Sequence, residues 1–182
     1  MGKTFVEKVF GLKAGYDVSA GDIVSVEPDW VMSHDNAAAI SATFRKTGAA
    51  KVRYPERVVI ILDHEIPAPK ESSATNHREI RSFVAEQGIE HFFDINFGIC
   101  HQVFVEEGFA MPGKLIVGSD SHTTTYGALG AFSAGIGRSL AEVFARNGFD
   151  LVVVARRAPE LEALAARCRE RDGADVAVVP MD

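Results

Sequence analysis

The sequence predicts a three-layer α/β fold with a mostly parallel sheet and helices on both faces, and three observations predict it. Val58 to Leu62, His91 to Ile95 and Leu115 to Val117 read as strands, and the first and third are apolar runs with the aliphatic content of strands buried on both faces. Segments of helical spacing stand between them. Each run leads into polar residues: Asp63 and His64 after the first, His101 shortly after the second, and Asp120, Ser121 and His122 after the third. The carboxyl ends of strands are where open α/β sheets place their ligands.

In chain order, Thr4 to Glu7 has the capping-box pattern, Phe5, Val6, Val9 and Phe10 share one helical face, and Gly11 offers a stop. A turn at Ser19 to Asp22 leads into a short strand, Ile23 to Val26. Pro28 and Asp29 then break into a loop carrying His34, Asp35 and Asn36. Asn36 caps a helix from Ala37 to about Lys46 that Gly48 closes. By spacing alone, Asp35 and Asn36 read as capping groups and His34 as a surface histidine. Lys70 to Asn76 is polar and reads as loop; Ile80, Phe83 and Val84 mark a helix ending at Gly88. His77 and His91 read as structural or exposed. Farther on, Leu140, Val143 and Phe144 give a helix closed by Gly148. Leu151 to Ala155 then reads as a strand, Pro159 to Arg171 as a helix and Val176 to Val179 as another strand.

Composition excludes several classes. The 182 residues, 47 % hydrophobic and 24 % charged, suffice for one real core or two small ones. No apolar run approaches the ~20 residues of a membrane-spanning helix, and the amino terminus reads as a short amphipathic helix, not a signal peptide. A net charge of -6 argues against nucleic acid as a partner, because phosphate recognition needs a basic face. The cysteines, 2 in number, are too few for a disulfide framework and point to a reducing, cytoplasmic location. Lysine and histidine stop before residue 138, while arginine continues. That shift suggests two segments, 1-137 and 138-182.

If the strands are parallel, their carboxyl ends share one edge. His64, His101 and His122 then face a common cleft, with Asp63 and Asp120 to orient them. An imidazole held by a carboxylate moves protons near neutral pH, worth ~100- to 10,000-fold in rate when well placed. A zinc site built from the three histidines is the competing arrangement, although none of the spacings matches a short-range metal-ligand motif.

The stretch Val117-Gly-Ser-Asp-Ser-His-Thr-Thr-Thr-Tyr-Gly-Ala-Leu-Gly-Ala-Phe-Ser-Ala-Gly-Ile-Gly137, with Leu62-Asp-His64 and Gly98-Ile-Cys-His-Gln102 upstream, resembles the aconitase superfamily, in particular large subunits of the isopropylmalate dehydratase and homoaconitase type. The resemblance covers about residues 1-137. It implies a hydro-lyase domain that removes and re-adds water on a hydroxy-di- or tricarboxylate such as isopropylmalate or homocitrate, with a small subunit carrying a mobile domain as possible partner. By position it implies that Asp63 and His64 protonate the departing hydroxyl and that His101 pairs with Asp120. Ser121 and His122 would contact substrate or bound solvent, and His34 would be a polar substrate contact. It also implies a 4Fe-4S cluster held by three cysteine thiolates, one isolated and two in a Cys-x-x-Cys, and those ligands are missing here. The expectation is therefore a partial domain, inactive by itself.

Residues 135-182 are similar to the cofactor half of short-chain dehydrogenases. Gly135-Ile-Gly137 stands in for the phosphate-binding turn, although no strand is predicted directly before it; Arg156 and Arg157 would favour the 2′-phosphate of NADP, and Asp182 would meet the adenine. The family's Tyr-x-x-x-Lys is absent. The reading that results is a chimera: an aconitase-like amino-terminal fragment, 1-137, continued by a Rossmann-like αβαβ segment, 138-182, with packing on the same sheet as one option for it. An NADP-binding reductase fragment and a folded chimera without activity are the alternatives.

Overall fold

The computed structural model describes residues 2–135, 151–155 and 158–180. The chain forms two compact units, Met1–Ala134 and Gly135–Asp182.

The first unit opens with α1 (Phe5–Ala14). The Thr4 hydroxyl accepts from the Glu7 amide at 3.3 Å and the Glu7 carboxylate accepts from the Thr4 amide at 2.7 Å, so the capping box is complete. The helix does not stop at Gly11. That residue stays helical, where a side chain would crowd the Tyr16 carbonyl, and the helix closes at Gly15, whose φ of 76° suits glycine. Ile23 to Val26 form no strand, and Ile23 is 96 % exposed. A β-branched run becomes a strand only with an edge to pair against.

The first strand is instead β1 (Trp30–Ser33), followed by α2 (Ala37–Lys46), a 3₁₀ turn at Pro55–Arg57 and β2 (Val58–Ile61). Then come α3 (Glu71–Gln87), β3 (His91–Phe93), α4 (Cys100–Glu106) and β4 (Leu115–Gly118). A 3₁₀ helix, Ser121–Leu129, leads into β5 (Phe132–Gly135), so a strand does precede Gly135. The helix α3 begins at Glu71, overturning the loop expected over Lys70 to Asn76. Its first inward positions are Ser73 and His77, both buried but polar, so an apolar pattern cannot reveal them.

The five strands form one sheet in the order β3-β2-β1-β4-β5. The pairs β1 with β2, β1 with β4 and β2 with β3 are parallel, with Met32 opposite Val59 on one side and Gly118 on the other. Alternation along β2 splits the core between the two faces. Val59 and Ile61 pack with Met32, Ile116, Val103, Phe104 and Tyr126; Ile60 and Leu62 pack with Ala37, Ile80, Phe83 and Val84. Helices α2 and α3 thus cover one face, and α4 with the 3₁₀ helix covers the other, which is the three-layer α/β architecture. Each fully buried aliphatic or aromatic side chain contributes about 1.5–3 kcal/mol, and the sheet is held by this two-sided burial.

The second unit contains β6 (Leu151–Ala155), α5 (Ala158–Asp172) and β7 (Val176–Pro180). Its strands pair in parallel with Leu151 opposite Val176, forming a sheet of their own. Leu161, Leu164, Ala165, Cys168, Ala174 and Val176 make its core. The helix expected around Leu140, Val143 and Phe144 lies outside the described residues. Among those described, no helix is long and apolar enough to cross a membrane.

Candidate active site

Parallel pairing brings the carboxyl ends of β1, β2 and β4 to one edge of the first unit, and the polar residues beyond them meet there. β1 delivers His34 and Asp35; β2 delivers Asp63 and His64; β4 delivers Asp120, Ser121 and His122. The loop after β3 runs into α4, whose first turn carries His101. A tight departure from β4 depends on Gly118: a Cβ there would lie 2.0 Å from Thr123 Oγ1. The Thr123 hydroxyl, fully buried, donates to the Asp120 carbonyl at 2.7 Å and fixes the start of the 3₁₀ helix.

Asp120 is the meeting point. Its Oδ2 lies 3.0 Å from His101 Nε2 and 2.8 Å from His122 Nδ1, and accepts from the His122 amide at 2.6 Å. Its Oδ1 lies 4.0 Å from His64 Nε2. Burial raises the carboxyl, but the His122 amide and the two imidazoles outweigh it and hold Asp120 down at about 2, so it is ionised at neutral pH. His101 is braced from behind by the Tyr126 hydroxyl, 2.8 Å from Nδ1. Burial pushes the Tyr126 phenol well above its ordinary range, which keeps it neutral.

The second cluster is built on Asp35. Its carboxylate accepts from the amides of Asp63, His64 and Glu65 at 3.0, 2.8 and 3.3 Å and pairs with buried His77 Nε2 at 2.8 Å. Burial opposes ionisation, and the His64 amide and the His77 imidazole override it, so the Asp35 carboxyl sits below its usual range. The turn carrying Asp63 and His64 is therefore clamped from below. Asp63 Oδ1 meets His64 Nδ1 at 2.5 Å, while Asp63 Oδ2 accepts from the Cys100 amide at 2.6 Å and so joins β2 to the start of α4.

The three histidines expected to converge do so around two aspartates. His34 is no surface residue: it is 6 % exposed and stacks on the His64 ring with centroids 3.9 Å apart. Asp35 is no helix cap either but the anchor of the neighbouring turn, and Asn36 makes no capping bond. Asn36 instead accepts from the hydroxyls of Ser33 and Ser119 at 2.9 and 2.8 Å, tying β1 to β4. Ser121 is exposed at the head of the 3₁₀ helix. Sequence reasoning missed Asp35, His77 and Tyr126. Placing β1 correctly would have found the first; Tyr126 lies inside the motif itself. Of the residues assigned to a nucleotide, Gly135 ends β5, whereas Gly137, Arg156, Arg157 and Asp182 lie outside the described residues.

A parallel α/β domain that sets histidine–carboxylate pairs along the carboxyl edge of its sheet is a domain equipped for acid–base chemistry on a small ligand. Comparison with known proteins makes the class specific. The model of the aconitase family (aconitate hydratase) matches residues 7–153, and the chain belongs to that family. The match passes Gly137, so the stretch following it carries aconitase-family similarity as well. The chain is 48% identical over 147 residues to the 3-isopropylmalate dehydratase large subunit 1 of Methanopyrus kandleri, covering 80% of this chain and 35% of the relative. It is 45% identical over 148 residues to the homoaconitase large subunit of Thermus thermophilus, covering 81% and 35%. A probable methanogen homoaconitase large subunit from Methanosarcina mazei is 50% identical over 119 residues, covering 64% and 30%. The chain thus spans about a third of the length of the curated relatives it matches.

Members of this family bind a 4Fe-4S cluster through cysteine thiolates, and the residues present do not fit one. Cys100 is fully buried; burial and then the Asp63 carboxylate push its thiol far above the range in which a thiolate forms. Cys168 belongs to the core of the other compact unit. Two such thiols, one in each unit, do not supply the ligand set a cluster requires.

Proposed function

We propose that this chain is a partial aconitase-family hydro-lyase domain. It supplies the acid–base groups for dehydration and hydration of a hydroxy-di- or tricarboxylate such as isopropylmalate or homocitrate, and it does not turn over by itself. The observation that carries the reading is the placement of His101 and His122 on one oxygen of Asp120, with His64 held by Asp63 across the same edge. The site domain is residues 1-137, and 138-182 is a further segment, into which the family match extends as far as residue 153. The relatives named above are large subunits, which favours a small subunit as partner.

In this reading His64, fixed by Asp63 through Nδ1, presents Nε2 to the ligand and delivers the proton that a departing hydroxyl needs. Asp120 keeps a negative charge beside His101 and His122 and so orients both rings. His34, neutral because burial and then the adjacent His64 push its pKa down to about 4, offers a polar contact without charge. Ser121, exposed at the mouth, is placed to touch a substrate carboxylate. The Asp35–His77 pair takes no proton from the substrate; it holds the turn from which Asp63 and His64 project.

The test exchanges the matching segment of a relative's large subunit for residues 7–134 of this chain and assays the hybrid with its small subunit. Turnover of isopropylmalate or homocitrate is expected, falling ~100- to 10,000-fold with His101→Ala or Asp120→Asn. A folded hybrid without turnover, or turnover by the isolated 182-residue chain, would overturn the proposal.

A further inference from the structure

We propose that His101, Asp120 and His122 form a binding site for one divalent ion of borderline softness, of which Zn²⁺ and Co²⁺ are the representative probes. The proposal shares residues with the hydro-lyase reading but does not rest on it, since binding is read without turnover.

The donor geometry comes first. His101 Nε2, His122 Nδ1 and an Asp120 oxygen lie within 4.8 Å of one another, with the two nitrogens 3.0 and 2.8 Å from Oδ2. Bonds of about 2.0–2.2 Å to nitrogen and oxygen set neighbouring ligand atoms roughly 3 Å apart in a tetrahedral or octahedral shell. An ion there takes the place of the protons that bridge the two nitrogens to Oδ2. Two imidazoles, one carboxylate and no thiolate make a donor set suited to Zn²⁺, Co²⁺ or Ni²⁺, in contrast to the cluster that the cysteines cannot hold.

The surroundings are those of a ligand shell. A metal-binding imidazole is normally fixed by a partner on its other ring nitrogen. His101 has one: the Tyr126 hydroxyl at 2.8 Å from Nδ1, on a ring only 1 % exposed and stacked against Phe104 at 4.8 Å. With an ion on Nε2, the Nδ1 proton is donated to that phenol oxygen. The Asp120 side chain is only 10% exposed and that of His101 19%, whereas His122 is 66% exposed, so a dry floor opens to solvent on one side. The second group of candidate donors, His34, Asp35, Asp63 and His64, is already engaged. Asp35 serves three backbone amides and His77, and Asp63 serves His64 and the Cys100 amide; an ion there would strand buried N–H groups. Among the described residues, the hydrogen bonds of the Asp120 carboxylate all fall on Oδ2, and Oδ1, with His64 Nε2 4.0 Å away, is the second oxygen of the carboxylate that an ion beside the rings can take up.

The chain, stripped with EDTA, is titrated with Zn²⁺ by calorimetry and with Co²⁺ by visible absorption. One ion per chain is expected. Binding should be lost with His101→Ala or Asp120→Asn and weakened at least about tenfold with His122→Ala, whose exposed ring can be removed without opening the core. Tyr126→Phe, which keeps the ring and deletes the oxygen behind His101, should weaken it about 10- to 100-fold. His64→Ala should retain it, and circular dichroism checks that each variant is folded. Absence of binding to the folded chain, or binding that survives His122→Ala and disappears with His64→Ala, would overturn the assignment, the latter by placing the ion in the neighbouring cluster.

Discussion

The His34 imidazole lies nearly face to face with that of His64, the two planes inclined by 25°. Its Nδ1 is buried without a hydrogen-bond partner, and burial, followed by the charge of the adjacent His64, pushes its pKa down to about 4. The unfolded chain takes up this proton near pH 6.5 and the folded chain resists until about 4, so stability falls as the pH drops through that window. The contribution is at most about 3 kcal/mol. Asp120, held at about 2, adds a loss in the same direction but at lower pH. Urea unfolding of the first unit, followed by the fluorescence of Trp30, should show decreasing stability from pH 6.5 to 4, and His34→Gln should flatten that slope. An unchanged slope in the variant would assign it to other groups.

Asp35 is the second point at which the site can be tested by stability alone. Four hydrogen bonds converge on this buried carboxylate, three of them from the turn that bears Asp63 and His64. Asp35→Asn removes the charge, turns one acceptor into a donor and leaves His77 without its carboxylate partner. The expected loss is about 3 kcal/mol, in the range found when one member of a buried pair is deleted. Hydrogen exchange should locate the damage. The amides of Asp63 and His64 should lose protection before those of β2, and uniform loss across the sheet would refute a local clamp.

What the sequence reveals about this site depends on how local each cause is. The run Val58 to Leu62 and its Asp63-His64 ending are readable because a strand buried on both faces has few alternatives, and the Thr4 capping box is readable because both partners lie within one turn. Ile23 to Val26 has the same local look and fails for want of an edge to pair with. β1, with only four residues behind Pro28-Asp29, owes its existence to lying between β2 and β4. Asp35 could be read only as a cap, because the amides it serves are supplied by the turn after β2 and His77 by α3. The convergence of His64, His101 and His122 was legible once the strands were taken as parallel; the bracing of His101 by Tyr126 required the 3₁₀ helix, whose mean pattern is not amphipathic.

Gly118 offers a test of how tightly β4 releases the chain into the site. An alanine Cβ there would meet Thr123 Oγ1 at 2.0 Å and its Cγ2 at 2.7 Å, contacts that cannot persist. Gly118→Ala should therefore cost about 1–3 kcal/mol by overpacking. Adding Thr123→Ala removes both of those atoms and should restore part of the loss, so the two changes together cost less than their sum. Because the Thr123 hydroxyl also holds the Asp120 carbonyl, the imidazole resonances of His101 and His122 should shift in Gly118→Ala while that of His91, packed on Trp30 at the far end of β3, should not. Strict additivity would mean that the strand end yields without pressing on Thr123.

Cys100 tests the claim that its thiol is shut away from chemistry. It is fully buried at the first residue of α4, and burial, then the Asp63 carboxylate that accepts from its amide, push the thiol well up from its ordinary range. Alkylation requires the thiolate and access to it, and the native fold denies both. Iodoacetamide at mildly alkaline pH should leave Cys100 unmodified in the native chain and label it fully in urea. Raising the urea concentration should increase the labelling rate in step with the unfolding seen at Trp30, because only opening of the core that both residues share frees the sulfur. Labelling that outpaces Trp30 unfolding would show that α4 opens by itself, and the Asp63 bond to its first amide would then be too weak to hold the helix against β2.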